Sequence, residues 1–558
     1  MKNGECRHEF SSQAITELAQ FLGGQDSRSE PRDGTTGEYA TGSRSLEQLP
    51  QQSRETIDKL GLNHVDLLLG TVTSSSSWVE EINHTLDLYD YLVQAETSGK
   101  LELKERYLRY IYHHLRKETA DFLHADPESV VFDLSGTHAA LFLRFAYPNS
   151  YVITTTETGG TLPLAYEGRA PGKEKYLNVH GETVDDPLVI PSGEGRVDVV
   201  NLRQGKEGKP RQESEIHKEI ITNIYKAIRA SPGEPIIIHL PLPPKTGASP
   251  EARIDFARVL RDPQKARNIL REQLSLTDIE LGDIDLSQII VVADMAQTRM
   301  YWGEYDPTDE KDGFCDIALA TSSKAMGGYS FGGVQLISKQ LTPEIKERVR
   351  KNLDKYPAYA ENFLAGGHLP PSWTDGLDLS SKVQEHNASL AARFLTTGDI
   401  LEEMKELGAE KALGNAKEIK AHWDTLTAQF TGYSDYTSPE TASAIAFTLE
   451  AARDKHSSNR LRHLLMTPFS SENMPSHLTE TEEDAMRLLF EIGNPVSEKA
   501  TLDEGEADEL HIPINRIGIG WRQAIDWEKP ERKRQIKKSL EYLAIKMKVL
   551  LENQCIAQ

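Results

Sequence analysis

The chain has 558 residues, long for a single folded unit, so two lobes with tails are expected. Charged residues make up 27% and hydrophobic ones 38%, the balance of an ordinary soluble enzyme rather than a fibrous or membrane protein. A formal net charge of −23 argues against a nucleic-acid or anionic-membrane binder, since both partners reward clustered Lys and Arg.

The opening MKNGECRHEF lacks the apolar core of a signal peptide. No later stretch approaches the roughly 20 apolar residues that a membrane helix needs. Cys6, Cys315 and Cys555 stand far apart without CxxC or Cys/His spacing, so neither a disulfide framework nor a metal site is expected. The expected setting is reducing and cytoplasmic. Residues 21–55 are rich in Gly, Ser and charge and read as a flexible arm, with order beginning near Arg54. From Lys104 to Phe122, Leu108, Ile111, Leu115 and Phe122 recur at helical spacing.

Seven β-rich runs follow: SVVFDL (129–134), YVITT (151–155), VDVVNL (197–202), PIIIHL (235–240), QIIVVAD (288–294), DIALAT (316–321) and GVQLIS (333–338). Several are nearly continuous Val and Ile, as strands covered on both faces require. Polar or helical stretches separate them, which predicts an α/β fold with a mostly parallel seven-stranded sheet. Beyond about residue 365 helical patterns dominate (389–407 and 415–430), with one further strand at HIPINRIGIGW (511–521). A closing helix carries Ile536, Leu540, Leu543, Met547 and Leu550 as one stripe, and its flanking ERKRQIKK reads as a solvated face. There is no internal repeat. The expected division is 1–55 flexible arm, 56–115 N-terminal segment and helix, 116–365 large domain, and 366–558 a smaller α+β C-terminal domain with an insertion.

Ligands of parallel sheets sit at the carboxyl ends of the strands, so those residues carry the functional reading. After SVVFD come Leu134-Ser135-Gly136-Thr137-His138 and a helix; small and hydroxyl residues there suit an anion, or simply an N-cap. After QIIVVA comes Asp294-Met295-Ala296-Gln297. A carboxylate leaving a buried strand needs a cation or donor to meet it, and a turn it caps would also serve. After DIALA come Thr321-Ser322-Ser323-Lys324, an amine that partial desolvation would make a competent Schiff-base nucleophile, or else a solvated surface charge. PLPPKTGASP after PIIIHL reads as a cleft wall around Gly247.

The order anion cup, wall turn, DMAQ (294–297) and CDIALATSSK (315–324) resembles the fold type I pyridoxal-phosphate enzymes, in the class V aminotransferase and cysteine desulfurase branch, over roughly residues 100–340. The resemblance implies pyridoxal 5'-phosphate as cofactor, a small amino acid as substrate, and a homodimer with shared active sites. It implies that Lys324 forms the internal aldimine and moves the α-proton, that Asp294 pairs with the pyridinium nitrogen, and that Gln297 binds the ring's phenolic oxygen. It further implies Gly136, Thr137, Thr321 and Ser323 as phosphate ligands, with Tyr329 and Ser330 reaching a neighbouring subunit. Arg516 resembles the arginine that clamps the substrate carboxylate, with Arg522 as rival; Asn83 and His84 lie where a substrate-contacting segment runs.

The departures matter. Thr158 follows Glu157 where a ring-stacking His is usual, leaving His138 as an alternative stacker. Ser323 replaces the His before the lysine, and Pro244 the wall Asn. No cysteine stands on a C-terminal-lobe loop, which argues against a persulfide-forming desulfurase, and segments near 251–285 and within 390–510 exceed the usual size. The expected activity is aminotransfer, with a carbon–sulfur or other β-eliminating lyase next and an inactive cofactor-bound regulator third. No GxGxxG or GxxxxGK[ST] follows any strand, against a plain nucleotide binder.

Overall fold

The computed structural model describes residues 50–63, 67–69, 101–133, 136–156, 176–177, 183–184, 196–204, 209–242, 250–277, 281, 284–295, 306–321, 333–364, 368–374, 403–435, 437, 444–500 and 510–556. Helices α1 (Gln51–Leu60) and α2 (Leu101–Phe122) lead into β1 (Val130–Asp133), α3 (Gly136–Ala146), β2 (Tyr151–Thr155), β3 (Val197–Val200), α4 (Glu213–Ala230) and β4 (Ile236–Pro241). Then come α5 (Pro250–Arg261), α6 (Pro263–Leu274), β5 (Ile289–Asp294), β6 (Ile317–Thr321), β7 (Gly333–Ile337), α7 (Thr342–Lys355) and α8 (Pro357–Phe363). A second group follows: α9 (Ala409–Thr427), β8 (Tyr433–Asp435), β9 (Ala444–Leu449), α10 (Lys455–Met466), α11 (Glu480–Arg487), β10 (Glu491–Ala500), β11 (Leu510–Gly518), α12 (Trp521–Asp526) and α13 (Pro530–Glu552).

All seven runs expected from the sequence form one sheet in the order β1-β7-β6-β5-β4-β2-β3. Only β7 runs against its neighbours, pairing antiparallel with β1 and β6. Side chains alternate between two cores. Val131, Val152, Ile237, Val292, Leu319 and Ile337 pack with α3, α7 and α8. Val130, Phe132, Ile153, Ile238, Val291 and Ala320 join α2, α4, α5 and α6, in a core that continues into the second sheet and its helices. Two-sided burial is why these strands read as unbroken aliphatic runs. In α4, Ile216, Ile220, Ile224, Ala227 and Ile228 recur every three or four residues and are buried against the sheet.

The edge strand β1 is closed to further pairing. Arg116 of α2 is buried, donates from Nε to the Val130 carbonyl (3.0 Å) and from a terminal nitrogen to the His368 carbonyl (3.1 Å), and lies over the Phe132 ring. His368 also accepts the Phe132 N–H at 2.9 Å. An edge covered in this way offers no template to another chain. Burial lowers the Arg116 guanidinium to about 10.

The second sheet has the order β10-β11-β9-β8, with Leu68–Leu69 added parallel to the outer side of β10. Its strand β11 covers the expected run but ends at Gly518, and Trp521 instead opens α12, after Gly520 at the N-cap. Strands β8, β9 and β10 were not expected. β10 carries a register irregularity between Gly493 and Val496, where Pro495 has no N–H to give the ladder. Among the described residues, no helix is long and apolar enough to cross a membrane.

The closing helix contains the expected stripe, all five residues buried, and a lysine among them. Lys546 is fully buried and donates to the carbonyls of Leu465 (3.1 Å), Thr467 (2.8 Å) and Leu488 (2.6 Å). These are the carboxyl ends of α10 and α11, where the helix dipoles are negative. One ammonium thus ties three helices together. Burial pushes it well below the usual lysine range. Lys546→Met therefore takes the ammonium donor from the Thr467 and Leu488 carbonyls, while Leu465 keeps the Phe490 N–H at 2.9 Å, and is expected to cost on the order of 3 kcal/mol. Urea denaturation reads this as a lowered midpoint; an unchanged midpoint would show the clamp to be dispensable.

Candidate active site

Strand ends assemble a polar group at the carboxyl edge of the large sheet. Asp294 closes β5, opposite Pro241 of β4 and Leu319 of β6. Its carbonyl accepts the Leu242 N–H, and the Met295 N–H donates to the Leu319 carbonyl, both at 2.8 Å. The backbone at Asp294 is therefore fixed from both sides. Gly333, the first residue of β7, lies opposite both Thr321 and Asp133. The segments that follow β1 and β6 thus leave the sheet two strands apart, roughly 10 Å at ordinary strand spacing.

Parity adds a second layer. Asp133, Thr154, His239, Asp294 and Gln335 alternate in phase with the aliphatic residues that face α3, α7 and α8, and so occupy that face near its carboxyl end. Asp133, Thr154, His239 and Gln335 are buried and Asp294 is half-buried. Gln335 donates from Nε2 to Asp133 Oδ2 at 2.6 Å. Burial pushes the Asp133 carboxyl up to about 7, with the Gln335 bond opposing. Tyr359 of α8, stacked on Phe145 at 4.2 Å, is pushed well above its usual range by burial and then by the charge of Asp133. Burial lowers His239 to about 4, with the charge of Asp294 opposing. The imidazole is neutral at physiological pH.

The expected site residues fall in three groups. Asp294 and Thr321 end adjacent parallel strands, and Gly136 and Thr137 are the first two residues of α3, directly beyond β1. Gln297, Ser323 and Lys324 lie outside the described residues, as do Glu157, Thr158, Pro244, Gly247, Tyr329, Ser330, Asn83 and His84. Arg516 stands in the second sheet rather than on this edge. There it is buried in β11, opposite Ala446 of β9 and opposite Gly493, which has no side chain, at the β10 irregularity. Ile445, Phe447 and Ile517 turn into the core with α9 and α10, so Arg516 occupies the other face. Its rival Arg522 is held by Glu403, with a 2.9 Å ion pair.

His138 is buried in the first turn of α3. Cys315 is buried, its thiol 3.3 Å from the Pro307 carbonyl, and burial raises it well above the thiol range, so it is no nucleophile. No cluster of metal-ligating side chains occurs among the described residues. Asp133, Gln335 and His239 escaped the sequence reading. The signal for His239 was one imidazole inside the aliphatic run PIIIHL, and for Asp133 a carboxylate one residue before the anion cup.

No protein-family model matches the chain. No curated protein matches it either. Solved structures do. A NifS-like protein is 11% identical, with 85% of this chain and 98% of that one covered and a TM-score of 0.43. A cystine C–S lyase in complex with cysteine persulfide is 10% identical, at 86% and 97% coverage and 0.48. A phosphoserine aminotransferase from Cytophaga hutchinsonii is 13% identical, at 84% and 97% coverage and 0.44. The chain itself has an α/β fold built on a seven-stranded, mostly parallel sheet, with a second, smaller sheet.

The Asp133 carboxyl sets a pH dependence whose sign is fixed. Its folded value of about 7 exceeds the unfolded value of about 3.9. Between the two the folded state binds more protons, so this contribution is complete below the unfolded value and is lost as pH rises through the folded one. Asp133→Asn keeps an acceptor for Gln335 and removes the titration. The variant is expected to match the wild type near pH 4 and exceed it in stability at pH 8, with denaturation midpoints across that range as the measurement. Parallel curves would refute the assignment.

Proposed function

We propose that this chain is a pyridoxal-phosphate enzyme that transaminates a small amino acid. The supporting observation is the edge itself: a carboxylate at the end of β5, next to one of two strand ends that lead into hydroxyl-rich segments, with a helix opening directly after β1. That donor set fits the cofactor. A helix N-terminus flanked by hydroxyls suits a phosphate, and an aspartate at a strand end suits a cationic ring nitrogen.

When bound, the cofactor supplies an electron sink for the substrate's α-carbon. The chain's own residues do the rest. Gly136, Thr137, Thr321 and Ser323 would hold the phosphate, Gln297 would donate to the phenolic oxygen, and Asp294 would keep the ring nitrogen protonated. The Lys324 amine would hold the cofactor's aldehyde and would serve as the base for the substrate's α-proton. Arg516, a planar fork with two parallel N–H groups, would bind the α-carboxylate from the second sheet. Tyr329 and Ser330 complete the phosphate site of the second subunit in a homodimer.

Purified protein given the cofactor is expected to show a visible absorbance band, and borohydride is expected to fix the cofactor at position 324. Lys324→Ala should lose the label. A colourless, unlabelled wild type ends the proposal. Amino acid added without keto acid should leave the pyridoxamine form; accumulating pyruvate with the original band restored assigns elimination instead. Arg516→Lys is expected to raise KM by about tenfold or more, the loss of a bidentate charged contact, with the absorbance band unchanged.

A further inference from the structure

We infer that His239 is a positioning residue for Asp294, a neutral imidazole that aims and braces the carboxylate without neutralising it. The inference deepens the cofactor reading above and rests on it. His239 belongs to β4, two residues before Pro241, which stands directly opposite Asp294 on β5. Both side chains occupy the same face, so the imidazole is the diagonal neighbour of the carboxylate. On its other side Thr154 of β2 is directly opposite His239. The row Thr154, His239, Asp294 therefore crosses three adjacent strands at the carboxyl edge.

Around this row the same face of β4 and β5 is aliphatic. Ile237 and Val292 flank His239, and the ring has no exposure to water. Burying an imidazole there is costly unless polar groups receive it. The neutral ring has one N–H and one lone pair, and the hydrogen bond on one nitrogen decides which form the other takes. An N–H turned toward Asp294 would fix the tautomer and leave the lone pair on the side of Thr154. A lysine or arginine at 239 would pair with Asp294 and cancel the charge it offers to a cationic ring nitrogen. A leucine would leave the carboxylate unbraced. The neutral donor alone does both tasks.

The test compares two ligands on unlabelled, reconstituted protein: pyridoxal phosphate, and its analogue with a C–H in place of the ring nitrogen. If His239 acts through Asp294, His239→Leu weakens the true cofactor by about tenfold or more, the scale of second-layer partners at charged sites, while the analogue binds as it does to the wild type. His239→Asn, which keeps an N–H donor, recovers most of the lost affinity. Equal losses for both ligands, or no loss for either, overturn the inference and leave His239 as a core residue. Should the leucine variant fail to fold, the asparagine variant against His239→Thr provides the same comparison at smaller volume change. A wild type that binds neither ligand defeats the cofactor reading itself, an outcome separate from a difference that fails to appear between variants.

Discussion

Burial on both faces of the large sheet is the constraint from which the site follows. Strands β4, β5 and β6 run through two aliphatic layers, and within those layers a polar side chain has no water to return to. Polarity is admitted only where the strands end. On the face shared with α3, α7 and α8 the change comes within the last one or two in-phase positions: Val131 to Asp133, Ile237 to His239, Val292 to Asp294. The chemistry of the edge and the stability of the sheet are two consequences of one layer arrangement. The antiparallel β7 serves both. It closes the sheet between β1 and β6, and its Gln335 reaches back to satisfy Asp133.

That same constraint explains what the sequence disclosed. A strand covered on both sides must be aliphatic at consecutive positions, so the inner strands of the large sheet stood out in the chain, and the residues after them could be examined as ligands; the edge strand β3, VDVV with Val199 exposed, stood out by its valines alone. The second sheet gives no such signal. β10 contains Gly493 and Pro495, residues that argue against a strand, and it survives through the irregularity they create. β9 reads AIAFTL, whose small residues pack against β11 rather than announcing themselves. β8 is three residues long and polar. These strands are defined by their partners, and a pairing such as that of β9 with β11, Ala444 opposite Gly518, leaves little trace in local pattern.

Buried cations show the same limit from another direction. Lys546 and Arg116 look like solvated charges in helices rich in Lys, Arg and Glu. Their burial follows from what surrounds them in three dimensions: carbonyls at the ends of α10 and α11 for one, the carbonyls of Val130 and His368 for the other. In both cases backbone carbonyls receive the charge. A carbonyl gathers a cation without itself being a charge that must be buried, which avoids the double desolvation of an interior ion pair. Arg116 and Lys546 therefore act as fasteners between elements, a role that helical spacing cannot reveal.

The electrostatic economy of the carboxyl edge runs the opposite way. Two carboxyl groups share one face of the sheet, and two full negative charges in a buried layer would repel. Burial holds Asp133 partly protonated near neutral pH, and a glutamine rather than a cation stands beside it. His239 is kept neutral down to about pH 4. Burial thus favours the neutral form of His239 beside Asp294 and of Asp133 three strands away, which lightens the charge that this face of the sheet must hold away from water.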